Sequence, residues 1–277
     1  MRLEEDGLRR VQSHRALAAA AIVLVLMAAP ASAGEIACWF ENGAVVVPAA
    51  FGDIAGDFIL DASAPASLLH VTTAQTFGID APTARATLRL AGERRVQFDM
   101  QVADLDARTR PFVTGIAGVI GADALAPFVT EIATSPCRVR LSRGTRRGAT
   151  TVRLPLRVVG GTLAVMAAIS DGVAAREGWF AVNTGAARTL ISDARLSRTP
   201  AEGTDPAVRL RALSVGGMLF EQIPAGLMAD PPAGLSGSIG DAVWSRFRLR
   251  LDPRRGWLTL RPAADVRTRR WKSSAPG

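Results

Sequence analysis

The sequence predicts an all-β protein built from two related lobes, and three observations carry that reading. Apolar and polar residues alternate over strand lengths in segment after segment, helical periodicity is scant, and the 277-residue chain states nearly the same pattern twice. The first copy reads Phe58-Ile59-Leu60-Asp61-Ala62-Ser63-Ala64 and then Leu68-Leu69; the second reads Phe180-Ala181-Val182-Asn183-Thr184-Gly185-Ala186 and then Leu190-Ile191. Val119-Ile120-Gly121 ends 60 residues after Asp61, and Ser238-Ile239-Gly240 ends 57 residues after Asn183. From there the spacing locks: seven residues from each glycine to Phe128 or Phe247, and thirteen more to Leu141 or Leu260. A repeat longer than about 100 residues is too long for a solenoid unit and points to two copies of one lobe about an internal pseudo-two-fold axis.

Taken in chain order, Arg2, Arg9, Arg10 and Arg15 precede an apolar run from Ala16 to Ala29, and Ala31-Ser32-Ala33 supplies small residues for cleavage. Residues 1–33 therefore read as a secretory signal peptide; the run is short for a retained anchor, and Pro30 interrupts it. The first lobe, 34–142, carries strand signals at 43–47 and 57–60 and a hairpin from 86–90 to 96–98 about Ala91-Gly92-Glu93. A glycine-bracketed basic turn at 143–150 reads as the linker. The second lobe, 151–263, repeats the signals at 153–159 and 246–251, with a hairpin closed tightly by Gly216-Gly217. Short helices are expected at 72–77, 121–128 and 241–246. After Pro262 the pattern is lost, so 264–277 reads as a disordered basic tail; for Arg269-Arg270-Trp271-Lys272 a membrane-surface contact is the other reading.

The formal charge is +8, but Lys272 is the only lysine and the arginines stand singly between apolar residues. That is the look of solvated strand faces rather than a nucleic-acid stripe, and a weak attraction to anionic surfaces is the most it supports. Cys38 and Cys137 are the only cysteines. In an exported protein such a pair most simply forms a disulfide; two unpaired buried thiols are the alternative. His70, the only histidine after residue 33, reads as a strand-end residue, and no Gly-x-Ser-x-Gly elbow accompanies it. One histidine and two distant cysteines give zinc no ligand set, and no phosphate or dinucleotide loop is present, so no metal and no cofactor is expected.

An apolar strand running into Asp-Thr/Ser-Gly, with an apolar-apolar-Gly turn later in the same lobe, resembles the aspartic peptidases. Two such halves resemble the pepsin-like or fused retropepsin-like bacterial members, over residues 38–262. The stretch from Gly237-Ser238-Ile239-Gly240 through Arg248-Leu249-Arg250-Leu251-Asp252-Pro253 to Trp257-Leu258-Thr259-Leu260 resembles their closing segment. The resemblance implies that the Asp61 and Asn183 loops face each other on the floor of an interlobe cleft. In that family two carboxylates share one proton, so that one serves as base and the other as acid. The hydroxyl after each Asp braces the loops, and the Gly lets backbone approach closely.

Both halves depart from that pattern. The first keeps Asp61 but has Ala62 and Ser63; the second keeps Thr184 and Gly185 but has Asn183. An amide can hydrogen-bond but cannot carry the proton, and a lost proton-transfer role costs about 10²–10⁴ in rate. The chain also has no tyrosine for the flap position of many two-lobed relatives. The expectation is an exported, periplasmic or extracellular homologue, leaning inactive and monomeric. It would bind an extended peptide or protein segment in the cleft along flap-hairpin edges, with no nucleic-acid partner and no membrane span once the signal is cut. Two alternatives stay open: a weakly active endopeptidase using Asp61 with Asn183, and a structural or assembly protein with a filled cleft. Asp61 and Asn183 as plain turn residues also remain possible readings.

Overall fold

A computed structural model describes residues 34–144, 152–193 and 208–263, all within one compact unit. The expected signal peptide, most of the expected linker and the expected tail lie outside the described residues.

The first half runs β1 (Glu35–Ala37), β2 (Trp39–Glu41), β3 (Ala44–Phe51), β4 (Ile54–Leu60), β5 (Leu68–His70), α1 (Val71–Thr76), β6 (Thr83–Leu90), β7 (Glu93–Ala103), α2 (Asp106–Thr109), β8 (Ile116–Ile120), α3 (Ala122–Leu125), β9 (Val129–Thr134) and β10 (Cys137–Ser142). The second runs β11 (Val152–Val159), β12 (Thr162–Ser170), β13 (Ala175–Val182), β14 (Thr189–Ile191), β15 (Val208–Val215), β16 (Met218–Leu227), β17 (Leu235–Ile239), α4 (Asp241–Trp244), β18 (Phe247–Asp252) and β19 (Trp257–Pro262). The fold is the all-β, two-lobed one that the duplicated pattern predicts. The three expected helices form as single turns or little more, and α2 is a fourth that the sequence did not announce.

Each half closes a six-stranded barrel, β3-β4-β8-β5-β7-β6 in one and β12-β13-β17-β14-β16-β15 in the other, with β6 returning to β3 and β15 to β12. Closure removes the free edges that an open sheet would expose. The copies match in detail. The parallel pairs β4–β8 and β13–β17 both shift register, at Asp57/Phe58 and at Trp179/Phe180. These strands are apolar without alternation because both faces are covered: Phe58, Ile59, Leu60, Val119 and Ile120 are all buried.

Beneath the barrels lies a shared sheet, β1-β10-β9-β18-β19-β11, in which the halves meet at the antiparallel pair β9–β18. Here the strands alternate. Ile132, Val139, Leu141, Leu249, Leu251, Leu258 and Leu260 join the main core, and most polar residues point the other way, with Thr130, opposite Leu141 and Leu251, a buried exception. Trp244 of α4, among the largest fully buried side chains, satisfies its indole N–H on the Ile239 carbonyl at 2.6 Å. Cys38 and Cys137 form a disulfide that ties the junction of β1 and β2 to the start of β10. In the chain-entropy model a loop of this length is worth about 4–5 kcal/mol.

Candidate functional site

The two sequence-predicted triplets come together, and the backbone of each is hung in the same way. Asp61 follows β4 and its N–H donates to the Ile120 carbonyl at 2.9 Å; Asn183 follows β13 and its N–H donates to the Ile239 carbonyl at 3.0 Å. Ser67 and Thr189, which the sequence reading passed over, accept the N–H of Gly121 and Gly240 respectively. They pin each apolar-apolar-Gly turn beneath its triplet.

Across the lobes the contacts are reciprocal. Val45 N–H donates to the Thr184 carbonyl at 2.9 Å, and Leu163 N–H to the Ala62 carbonyl at 3.4 Å. The turn glycines Gly43 and Gly161 hold positive φ of 72° and 81°. A Cβ there would sit 2.2 Å from that of Ala187 and 2.9 Å from that of Pro65, each in the opposite lobe. The backbone can come this close only where side chain is missing. One link is not reciprocal. Thr184 Oγ1 donates to the Leu60 carbonyl at 2.7 Å and accepts the Ala62 N–H at 3.1 Å, whereas Ala62, fully buried, has no hydroxyl to return the bridge.

Asp61 is 3% exposed and has a partner that the sequence did not reveal. Its Oδ1 accepts Ser63 N–H at 2.8 Å and Ser63 Oγ–H at 2.6 Å. Its Oδ2 accepts Arg108 Nη2–H at 2.5 Å. Arg108 stands on α2, and its side chain keeps 31% of its surface open to solvent. Gly185 closes the other side: a methyl there would lie 2.7 Å from both Arg108 Nη2 and Asp61 Cγ. The carboxylate thus accepts hydrogen bonds from a guanidinium and from two local donors. Asn183, 7% exposed, turns Oδ1 to the Gly185 N–H at 2.9 Å. It stabilises its own loop.

Two further groups flank the triplets. His70 ends β5 as expected; its Nδ1 accepts Thr72 N–H, and its Nε2 lies 3.2 Å from Asp106 Oδ1, linking β5 to α2. Asp241 N–H donates to the Ala186 carbonyl, and burial pushes the Asp241 carboxyl up to about 6. The corresponding bond in the first half comes from Ala122, to Ala64.

The expected flap hairpins are placed differently. The turn of β15–β16 packs on β11, where a Cβ at Gly216 would meet Leu154 and Val152. The turn of β6–β7 lies beside the shared sheet, with Leu90 and Glu93 grouped with Phe128 and Leu141, and Glu93 paired to Arg143. Apolar residues near both tips drive them onto the core, so neither hairpin offers its edge over Asp61. Among the described residues no cluster of His, Cys, Asp or Glu could hold a metal ion, and no helix is long and apolar enough to cross a membrane.

Neither a family model nor a curated protein matches the sequence. Among solved structures, the chain is similar to the crystal structure of an aspartic proteinase from Irpex lacteus. The TM-score is 0.55 at 13% sequence identity, over 85% of this chain and 98% of that one. The likeness is one of fold: a two-lobed, all-β, aspartic-peptidase-like architecture.

Proposed function

We propose that this is an exported, catalytically impaired aspartic-peptidase homologue that holds an extended peptide or protein segment between its lobes. The observation that carries the reading is the pairing of buried Asp61 with Arg108, opposite Asn183. A peptidase of this kind needs two carboxylates trading one proton. Here one acid is an amide and the other is neutralised by a cation. The half-open guanidinium of Arg108 is the group that a bound segment would meet, through its carbonyls or its carboxylate. The Cys38–Cys137 bridge supports delivery to an oxidising compartment, periplasmic or extracellular.

A second reading, a structural role with the cleft filled by the protein's own groups, is favoured by the tight Gly43–Ala187 and Gly161–Pro65 approaches. One set of variants separates the readings. Wild-type protein is expected to leave unfolded casein intact from acid to neutral pH. Ala62→Thr, Ser63→Gly and Asn183→Asp combined with Arg108→Ala is expected to gain weak cleavage at acid pH, blocked by a statine-type inhibitor. Wild-type cleavage lost on Asp61→Ala would overturn the proposal. Retention of casein peptides by immobilised wild type, but not by the Arg108→Glu variant, supports the groove; no retention by either favours the filled cleft.

A further inference from the structure

Six of the arginines that stand singly along the sequence are gathered by the fold onto one surface, the outer face of the shared sheet. Register places them: Arg138 and Arg140 of β10, Arg248 and Arg250 of β18, Arg261 of β19 and Arg153 of β11 alternate with the residues that enter the core. Arg140 is opposite Glu131, Glu131 opposite Arg250, Arg250 opposite Thr259 and Thr259 opposite Arg153. Arg248 is opposite Arg261. Against these six cations the same face carries three acids: Glu35, paired with Arg138, Glu131, paired with Arg250, and Asp252, opposite Trp257. Arg140, Arg153 and Arg248 form no ion pair among the described residues. Like charges on adjacent strands cost stability, and nothing in the barrels or the cleft needs them there.

Two depressions mark the ends of the β9–β18 pair. One, of about 340 Å³, is lined by Arg143, Arg254 and Arg255 around Asp252; the other, of about 160 Å³, is bounded by Arg248 and Arg261. Between them Trp257 lies on the outer face, opposite Pro155, with the Arg153 guanidinium 3.7 Å from its ring centroid. An aromatic ring with an apolar body, set among arginines, suits the boundary between headgroups and acyl chains.

We propose that this face is a docking surface for an anionic phospholipid bilayer. A six-stranded sheet face spans about 24 Å and presents its charges side by side, matching a plane of phosphates. The sequence that follows the sheet carries the same chemistry. Ala263, which lines the smaller depression, precedes a sequence holding Arg267, Arg269, Arg270, Trp271 and Lys272. The barrels stand on the sheet's opposite side, so the Asp61–Arg108 pair stays clear of the lipid. The inference is independent of the proposed function.

The test is co-sedimentation of the full chain, in the form the expressing cell delivers, with vesicles of pure phosphatidylcholine or of equimolar phosphatidylcholine and phosphatidylglycerol. Binding is expected only to the anionic vesicles and is expected to weaken with salt. Each arginine near such a surface is worth about a fivefold gain in partition. The Arg140→Glu/Arg248→Glu variant should thus lose binding by at least about tenfold. Arg110→Glu/Arg209→Glu, with the same change in net charge elsewhere, should bind like wild type. A melting temperature checks folding; if the first variant melts early, Arg153→Gln/Arg254→Glu takes its place with the same expected loss. Undiminished binding by the sheet-face variants, or equal binding to both vesicles, overturns the proposal. So does capture by immobilised heparin with no vesicle binding, which would assign the face to a different polyanion.

Discussion

The connection between β7 and β8 and its counterpart between β16 and β17 occupy the same place in the two lobes, yet differ most in what they do. The first, residues 104–115, folds α2 and sends Arg108 to Asp61; the second, residues 228–234, is shorter, contains no helix and brings no cation to Asn183. The strands around them are copied down to the register shift in the parallel pair. The scaffold has thus been kept while the loops and triplets have diverged, the usual division of labour between elements that pack and segments that carry chemistry. What the difference teaches is that the first triplet pairs its acid with a cation from the neighbouring connection, while the second holds an amide bonded within its own loop.

The largest expected effect breaks the one-sided brace. Thr184→Ala removes a hydroxyl that satisfies both a carbonyl and an N–H in the buried interface, and should cost about 2–4 kcal/mol. Urea denaturation would show it, with Thr184→Ser recovering most of the loss. The matching position of the first lobe is Ala62, which has no hydroxyl to lose. A loss below about 0.5 kcal/mol would mean that the lobes are held by their barrels and shared sheet alone.

Next comes the ion pair. In a double-mutant cycle of Asp61→Asn and Arg108→Ala, the single changes each leave a partner unpaired, and the coupling should be about 1–3 kcal/mol, discounted because Arg108 is partly solvated. A coupling near zero would show that Arg108 rests on Asp61 without needing it.

The smallest effect distinguishes Asp241 from Ala122. Burial raises the Asp241 carboxyl from 3.8 to about 6, so the folded state binds this proton more tightly than the unfolded chain does. Its contribution is present below the unfolded value and is lost as pH rises through about 4 to 6, by about 1–2 kcal/mol after allowance for partial exposure. Asp241→Asn should flatten that part of the stability curve, and Ala122→Asn should not. Parallel pH-dependent slopes for wild type and Asp241→Asn would refute the assignment.

Much of this was legible in the sequence, for physical reasons. Alternation and apolar runs mark strands because burial is local, and the two triplets were visible because their spacing to Gly121 and Gly240 is nearly equal. Arg108 was not, since nothing in Asp106-Ala107-Arg108-Thr109 points 47 residues back to Asp61. The length difference that might have flagged it was masked, because the connection from β14 to β15 is longer than that from β5 to β6. The hairpins were seen but misplaced: turn chemistry fixes a hairpin's existence, while Leu90 and the packing of Gly216 on Leu154 decide where its tip goes. The arginine face stayed hidden for the same reason. Alternation gives each strand's outward side, and only the union of β9–β10 with β18–β19 makes those sides one plane.

That union also sets the order in which the chain can finish. β9 has β10 on one side, and on the other it waits for β18, whose pairing Glu131↔Arg250 spans 119 residues. Such a long-range pairing is slow to form. A chain that stops before Phe247 therefore keeps an exposed strand with an apolar face behind it, Ile132 among its residues. That bare edge is open to the same bare β9 edge of a second shortened molecule, which makes edge-to-edge self-association the natural product of truncation or of stalled synthesis.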